Sequence, residues 1–272
     1  MEGITNDRDI SSRIVEKIHQ EAEFHSICSS YTTLTDIAKI VDRLGNIDGL
    51  LLIMLEPATL GKGIEIQNTH IERKSGKTLP KYYYLTTPPA IRKIQNKYGC
   101  ERDCGSDFLQ YLKYAPAQFL IAFRGGIPRF LTGDDKRYKR HHLRKTVANE
   151  TIMKNAGKYI DLMKNNKKTV SMNKELLENI IEIARNNNNK VALVNIPIVD
   201  EYAYLISEQV KAYDSYIDDL VNKYNVHHFD FRKPGSWPQQ DFYDTHHMSL
   251  SGRTRYTQLL ADRLSAFTQA NQ

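Results

Sequence analysis

The sequence predicts an α/β protein: a three-layer arrangement in which a parallel sheet carries helices on both faces, with one long irregular insertion. Three observations point there. The runs at 49–55 (GLLLIML) and 191–196 (VALVNI) are almost wholly apolar, the pattern of strands buried on both faces. Segments with apolar residues at helical spacing lie around these runs. Strand and helix alternating at this spacing call for crossover connections, and crossovers make neighbouring strands parallel.

The elements follow in order. Ile10, Ile14, Val15 and Ile18 make residues 9–22 an amphipathic helix, and 24–28 is a short strand candidate. From Thr33 to Leu44 the apolar positions Leu34, Ile37, Ala38, Val41 and Leu44 repeat at helical spacing, and Gly45 supplies the stop. The strand at 49–55 ends at Glu56 and Pro57. Residues 174–185 read as a helix and 186–189 as a turn, and the strand at 191–196 ends at Pro197. A helix from about Ile206 to Tyr224, a last strand at 226–231 (VHHFDF) and a closing helix at 254–267 complete the order. Between 61 and about 168 the pattern is irregular, with Tyr82, Tyr83, Tyr84, Pro88, Pro89, Gly125 and Gly126. That stretch reads as an insertion between two sheet strands, a cap over the site, within a single domain spanning 1–272.

Composition narrows the function classes. At 272 residues with 40% hydrophobic and 26% charged residues, the chain is globular and long enough for a sizeable core. No apolar run approaches the ~18 residues of a membrane span, and the first residues lack the basic-then-apolar order of a signal peptide. Three cysteines exclude a disulfide-built scaffold. Cys100 and Cys104 are spaced for a disulfide or half a metal site, but no second cysteine pair completes a zinc set, and His141 and His142 are a poor substitute. No phosphate-binding glycine loop occurs, which argues against nucleotide enzymes. The net charge of +6 is mild. Its excess gathers at Lys136, Arg137, Lys139, Arg140, Arg144 and Lys145, where an anionic partner has a place to sit or a solvated face simply meets water. No nucleic-acid motif accompanies these charges, so nucleic acid is not expected.

The informative segment is 241–252, DFYDTHHMSLSG, between the last strand and the closing helix. Sites in parallel α/β sheets form beyond the carboxyl ends of strands. Asp244 and His247 are three residues apart, close enough for one turn to bring carboxylate and imidazole together. A carboxylate on one ring nitrogen fixes the tautomer and leaves the other nitrogen to act as a base. Of the neighbouring residues, His246 competes for the same role. Trp237, on the loop leading to Asp244, serves either to stack on a sugar ring or to anchor the loop. His227 and His228 alternate faces of a strand, and one of them is expected to pack inward as a neutral, bonded imidazole.

This segment resembles the carboxyl-terminal block of the SGNH (GDSL-like) hydrolase superfamily, in which Asp-x-x-His precedes Leu-Asn-x-x-Gly and a helix; the matching residues are Asp244, His247, Met248, Ser249 and Gly252. Tyr202 and Tyr204, after Pro197, resemble the members that modify cell-surface polysaccharides, relatives of the D-alanine-transfer and alginate O-acetylation proteins. The resemblance implies ester chemistry, O-acyl transfer or O-deacylation of a carbohydrate, with His247 as base, Asp244 orienting it and a serine carrying the acyl group. It implies no metal or cofactor, an extracytoplasmic location, and membrane association only through a segment upstream of this chain.

The serine has two registers. If 24–28 is the first strand, the nucleophile is Ser29 or Ser30. If 24–28 is the second strand, the nucleophile turn lies just upstream of Met1, and Glu2-Gly3-Ile4 resembles the residues that follow it. The plainer role for Ser29 and Ser30 is to cap the helix that begins near Thr33. The oxyanion block Gly-x-Asn-Asp is replaced here by Leu55-Glu56-Pro57-Ala58, and loss of one such donor costs about 3 kcal/mol of barrier. The alternative is a non-catalytic binding or assembly protein that kept the fold.

Overall fold

The structure, a computed structural model, describes residues 34–47, 49–61, 93–94, 97, 146–233 and 235–270. The expected helix at 9–22, the strand at 24–28 and nearly all of 62–145 lie outside the described residues.

Six helices and three strands are described, in the order α1 (Leu34–Leu44), β1 (Leu50–Leu55), α2 (Asn149–Asn165), α3 (Lys167–Asn186), β2 (Lys190–Asn195), α4 (Asp200–Leu205), α5 (Ser207–Tyr224), β3 (His227–Asp230) and α6 (Leu250–Ala270). Short 3-10 turns occupy Pro57–Leu60 and Gln239–Asp241. The sheet order is β1-β2-β3 and both pairings are parallel, with Leu50 opposite Lys190 and Ala192 opposite His227. The chain is thus an α/β protein with a small parallel sheet.

Strand side chains alternate between two apolar clusters, as the two-residue period of a strand requires. Leu50, Leu52, Ala192, Val194 and Phe229 pack with Ile152 and Ala156 of α2, Tyr202 of α4, and Tyr256, Leu260 and Leu264 of α6. Ile53, Leu55, Val191 and Leu193 pack with Leu34, Ala38 and Val41 of α1, Leu176 and Ile180 of α3, and Ile217 and Leu220 of α5. Leu193, Leu176 and Ile180 are wholly buried, so truncation of any of them to alanine costs about 2–5 kcal/mol.

Helix α1 stops at Gly45, whose φ of 59° is a left-handed conformation that glycine adopts without strain. The asparagine turn before β2 does more than reverse the chain. Asn188 takes φ 59°, and the buried Asn189 side chain donates to Gly45 O (2.6 Å) and accepts from Ile47 N–H (2.9 Å). It ties the starts of β1 and β2 together.

Helix α2 lies inside the segment expected as an irregular insertion, yet Ile152, Ala156 and Tyr159 bury one stripe of it. Helix α3 begins earlier than the expected 174. Its first turns bury Met172 and Asn173, and Asn173 Nδ2 donates to Leu60 O at 2.9 Å. The helix expected from Ile206 is two: α4 and α5 meet at Ile206 itself, a fully buried residue outside both. Helix α6 starts four residues before the expected position.

Candidate active site

The chain leaves β3 through a salt-bridge fork. The Arg232 side chain, 6% exposed, meets Asp230 Oδ2 at 2.7 Å and Asp214 Oδ1 at 2.6 Å. Burial opposes the charge of Asp230, but the hydrogen bonds and charge of Arg232 outweigh it and lower its pKa. Trp237 follows, 1% exposed, donating its indole N–H to Phe231 O and packing edge-on to Phe242 and Tyr256. Of the two roles open to it, the structure assigns the anchor.

Residues 241–249 then form a closed loop. Phe242 and Met248 make an antiparallel bridge, Tyr243 N–H donates to His247 O (3.0 Å), and Ser249 N–H donates to Asp241 O (2.8 Å). Outside bonds fasten it: Val147 N–H donates to Phe242 O, before α2, and Val199 N–H donates to Thr245 O, before α4. Gly252 is required at the base of the loop, since a Cβ there would lie 2.2 Å from Asp241 O. Ser249 caps α6 through the Gly252 N–H (3.3 Å) and donates to Gln240 O.

At the tip, Asp244 and His247 meet as their spacing led one to expect. Asp244 Oδ1 accepts the backbone N–H groups of His246 (3.0 Å) and His247 (2.8 Å), and Oδ2 lies 2.6 Å from His247 Nδ1. Burial alone would raise the Asp244 pKa. The His247 hydrogen bond, the neighbouring imidazoles and the His246 N–H overcome it, holding the carboxyl well below the usual carboxylate range. An ionised Asp244 only accepts, so His247 Nδ1 carries a proton, and in the neutral ring the lone pair is on Nε2. Nε2 makes no hydrogen bond among the described residues. The ring stacks on Tyr243, with centroids 5.5 Å apart and planes 10° from parallel.

His246, the competing base, is placed differently. Its Nδ1 is 3.1 Å from Thr245 Oγ1, 3.8 Å from Glu56 Oε2 and 3.9 Å from Asp244 Oδ1. Glu56, just past the carboxyl end of β1, comes from the stretch that departs from the expected oxyanion block. Only its position at a strand end signalled it beforehand. Around it, burial and the Glu56 charge raise the hydroxyl pKa values of Tyr159 and Tyr202, and Asn155 Nδ2 donates to Thr245 Oγ1 at 3.4 Å. One donor atom each from Asp244, His246 and His247 fall within 4.8 Å of one another, a group able to hold a metal ion.

The remaining candidates divide. His228 is the inward histidine, its Nε2 2.9 Å from the Nδ2 of the buried Asn195, while His227 is exposed and rests on Phe229 and Phe267. Tyr202 is buried and Tyr204 exposed. Ser29, Ser30, Cys100, Cys104, His141, His142 and the basic residues 136–145 lie outside the described residues.

A family model described as a protein of unknown function (DUF1574) matches residues 137–264. The matched stretch runs through β2 and β3 and includes Asp244 and His247. No curated protein and no solved structure matches the chain.

Proposed function

We propose that this chain is an SGNH-type three-layer α/β domain that performs ester chemistry on a carbohydrate: O-acyl transfer or O-deacylation. One observation carries the reading: a 2.6 Å Asp244–His247 contact on Nδ1, with Nε2 making no hydrogen bond among the described residues. Supporting it are the place of the loop beyond the sheet's carboxyl edge and the glycine that the loop's closure demands.

In this reading His247 Nε2 removes the proton from a serine hydroxyl as its oxygen attacks the acyl carbonyl. Asp244 stabilises the resulting imidazolium. His247 then returns the proton to the departing sugar oxygen, leaving an acyl-serine ester. Water, or a second sugar hydroxyl, reverses these steps and takes the acyl group. The serine is Ser29 or Ser30 in the first register and belongs to a preceding segment in the second.

The test is hydrolysis of p-nitrophenyl acetate by the purified chain and by His247→Ala. Loss of general-base catalysis lowers the rate by about a hundred- to ten-thousand-fold. With Ser29 or Ser30 as the nucleophile, equal rates contradict the assignment and leave a binding or assembly protein.

A further inference from the structure

The ester reading uses Asp244 and His247; beside them stand His246, its Nδ1 3.1 Å from Thr245 Oγ1, and Glu56, which caps the Pro57–Leu60 turn. Their geometry is specific. His246 Nδ1 has two carboxylate oxygens near it, Glu56 Oε2 at 3.8 Å and Asp244 Oδ1 at 3.9 Å, and the centroids of the His246 and His247 rings are 4.2 Å apart. Two imidazoles and two carboxylates from two distant parts of the chain thus meet at one place. The donors are only partly exposed, with side-chain accessibilities of 29% for His246, 31% for His247, 27% for Asp244 and 11% for Glu56. Nearby is the Tyr159 hydroxyl, buried and without a hydrogen-bond partner among the described residues, and within reach of the Glu56 charge.

We infer that Asp244, His246 and His247, with Glu56 beside them, form a binding site for a divalent transition-metal ion of the zinc class that switches the dyad off. Two nitrogen donors and one carboxylate oxygen make the mixed set such ions accept, and the Glu56 carboxylate, 3.8 Å from His246 Nδ1, adds to the charge that balances the ion. Metal–ligand bonds of about 2.0–2.2 Å place tetrahedral donors roughly 3.3–3.6 Å apart, so the His246–carboxylate spacings of 3.8 and 3.9 Å close by a few tenths of an ångström while the 2.6 Å Asp244–His247 contact opens by about 1 Å. Ligation through His247 Nδ1 releases its proton to solvent and breaks the hydrogen bond to Asp244 Oδ2. With the ion bound, His247 loses the partner that sets its tautomer, and the base is withdrawn. This is an inhibitory site: nothing in the proposed ester chemistry needs the metal.

Binding does not depend on the ester reading; only the consequence rests on it. The test is isothermal titration of the full chain with zinc chloride, beside His246→Ala and Asp244→Asn, with thermal unfolding of each to establish folding. The expected result is one zinc site whose affinity falls by about a hundredfold or more in either variant, and a zinc-dependent rise in the melting temperature of the unaltered chain that the folded variants lack. Zinc isotherms that are the same for all three chains, or no zinc binding by the unaltered chain, overturn the site. A chain that binds zinc through these residues but shows no metal-free esterase activity sinks the ester reading instead and leaves the site standing.

Discussion

Asp244 is the residue on which the site turns, because its two oxygens make three hydrogen bonds: two from backbone N–H groups that close the loop tip and one that orients His247. Asp244→Asn keeps the shape but offers an amide where a carboxylate stood. Ester hydrolysis should then fall by about a thousand- to ten-thousand-fold, read from kcat more than from KM. The same residue carries a pH signature. Its pKa is lowered on folding from an ordinary 3.8, so its ionised form stabilises the native state above that pH and the contribution drains away as pH falls below it. In urea titrations the unaltered chain should lose more stability than Asp244→Asn below pH 3.8; parallel curves would refute the linkage. The Asp244–His247 pair was legible in the sequence because a three-residue spacing is local. Glu56 was not, since it reaches His246 across 190 residues of chain, and no periodicity encodes that meeting.

At the scale of elements, the loop 241–249 depends on how α6 begins. The absent Cβ of Gly252 lets Asp241 O approach, and Ser249 caps the helix at the same point. Gly252→Ala must push the loop or the helix aside, a cost of about 1–3 kcal/mol or more. A lowered melting temperature with weakened ester hydrolysis is expected, whereas a variant as stable and active as the parent would show that the close approach is not needed. The strands were the easiest elements to read: LLLIML and VALV are unbroken apolar runs and nothing competes with them. Helix α2 was hidden, because most of its residues are polar and Gly157 interrupts it. Its buried stripe makes sense only once the sheet is there to cover it. The break between α4 and α5 was equally hidden, as buried Ile206 continues the apolar spacing across it.

Over the whole molecule, the parallel sheet with its two apolar clusters sets both the site and the pH response. The parallel direction of β1 and β3 brings Glu56 and the 241–249 loop to one edge. Below that edge, Tyr213 O–H donates to Asn195 Oδ1 at 2.6 Å, and Asn195 Nδ2 reaches His228 Nε2, which must therefore accept and stay neutral. Burial is the main cause of the lowered His228 pKa. An unfolded His228 takes up a proton near its ordinary 6.5 and the folded one resists, so stability falls as pH drops below about 6.5. His228→Gln should flatten that part of the stability–pH curve, and an unchanged slope in urea titrations would exclude His228 as its source. The overall class was readable from strand and helix alternation; the packing of residues 146–168 was not, because it depends on contacts far apart in sequence.

The most direct measurement is the tautomer of His247, read from the nitrogen and proton NMR shifts of its ring in the metal-free chain. The account predicts a proton on Nδ1, shifted downfield by Asp244 and lost in Asp244→Asn. A His247 that carries its proton on Nε2, or whose ring signals ignore the Asp244 substitution, would contradict it.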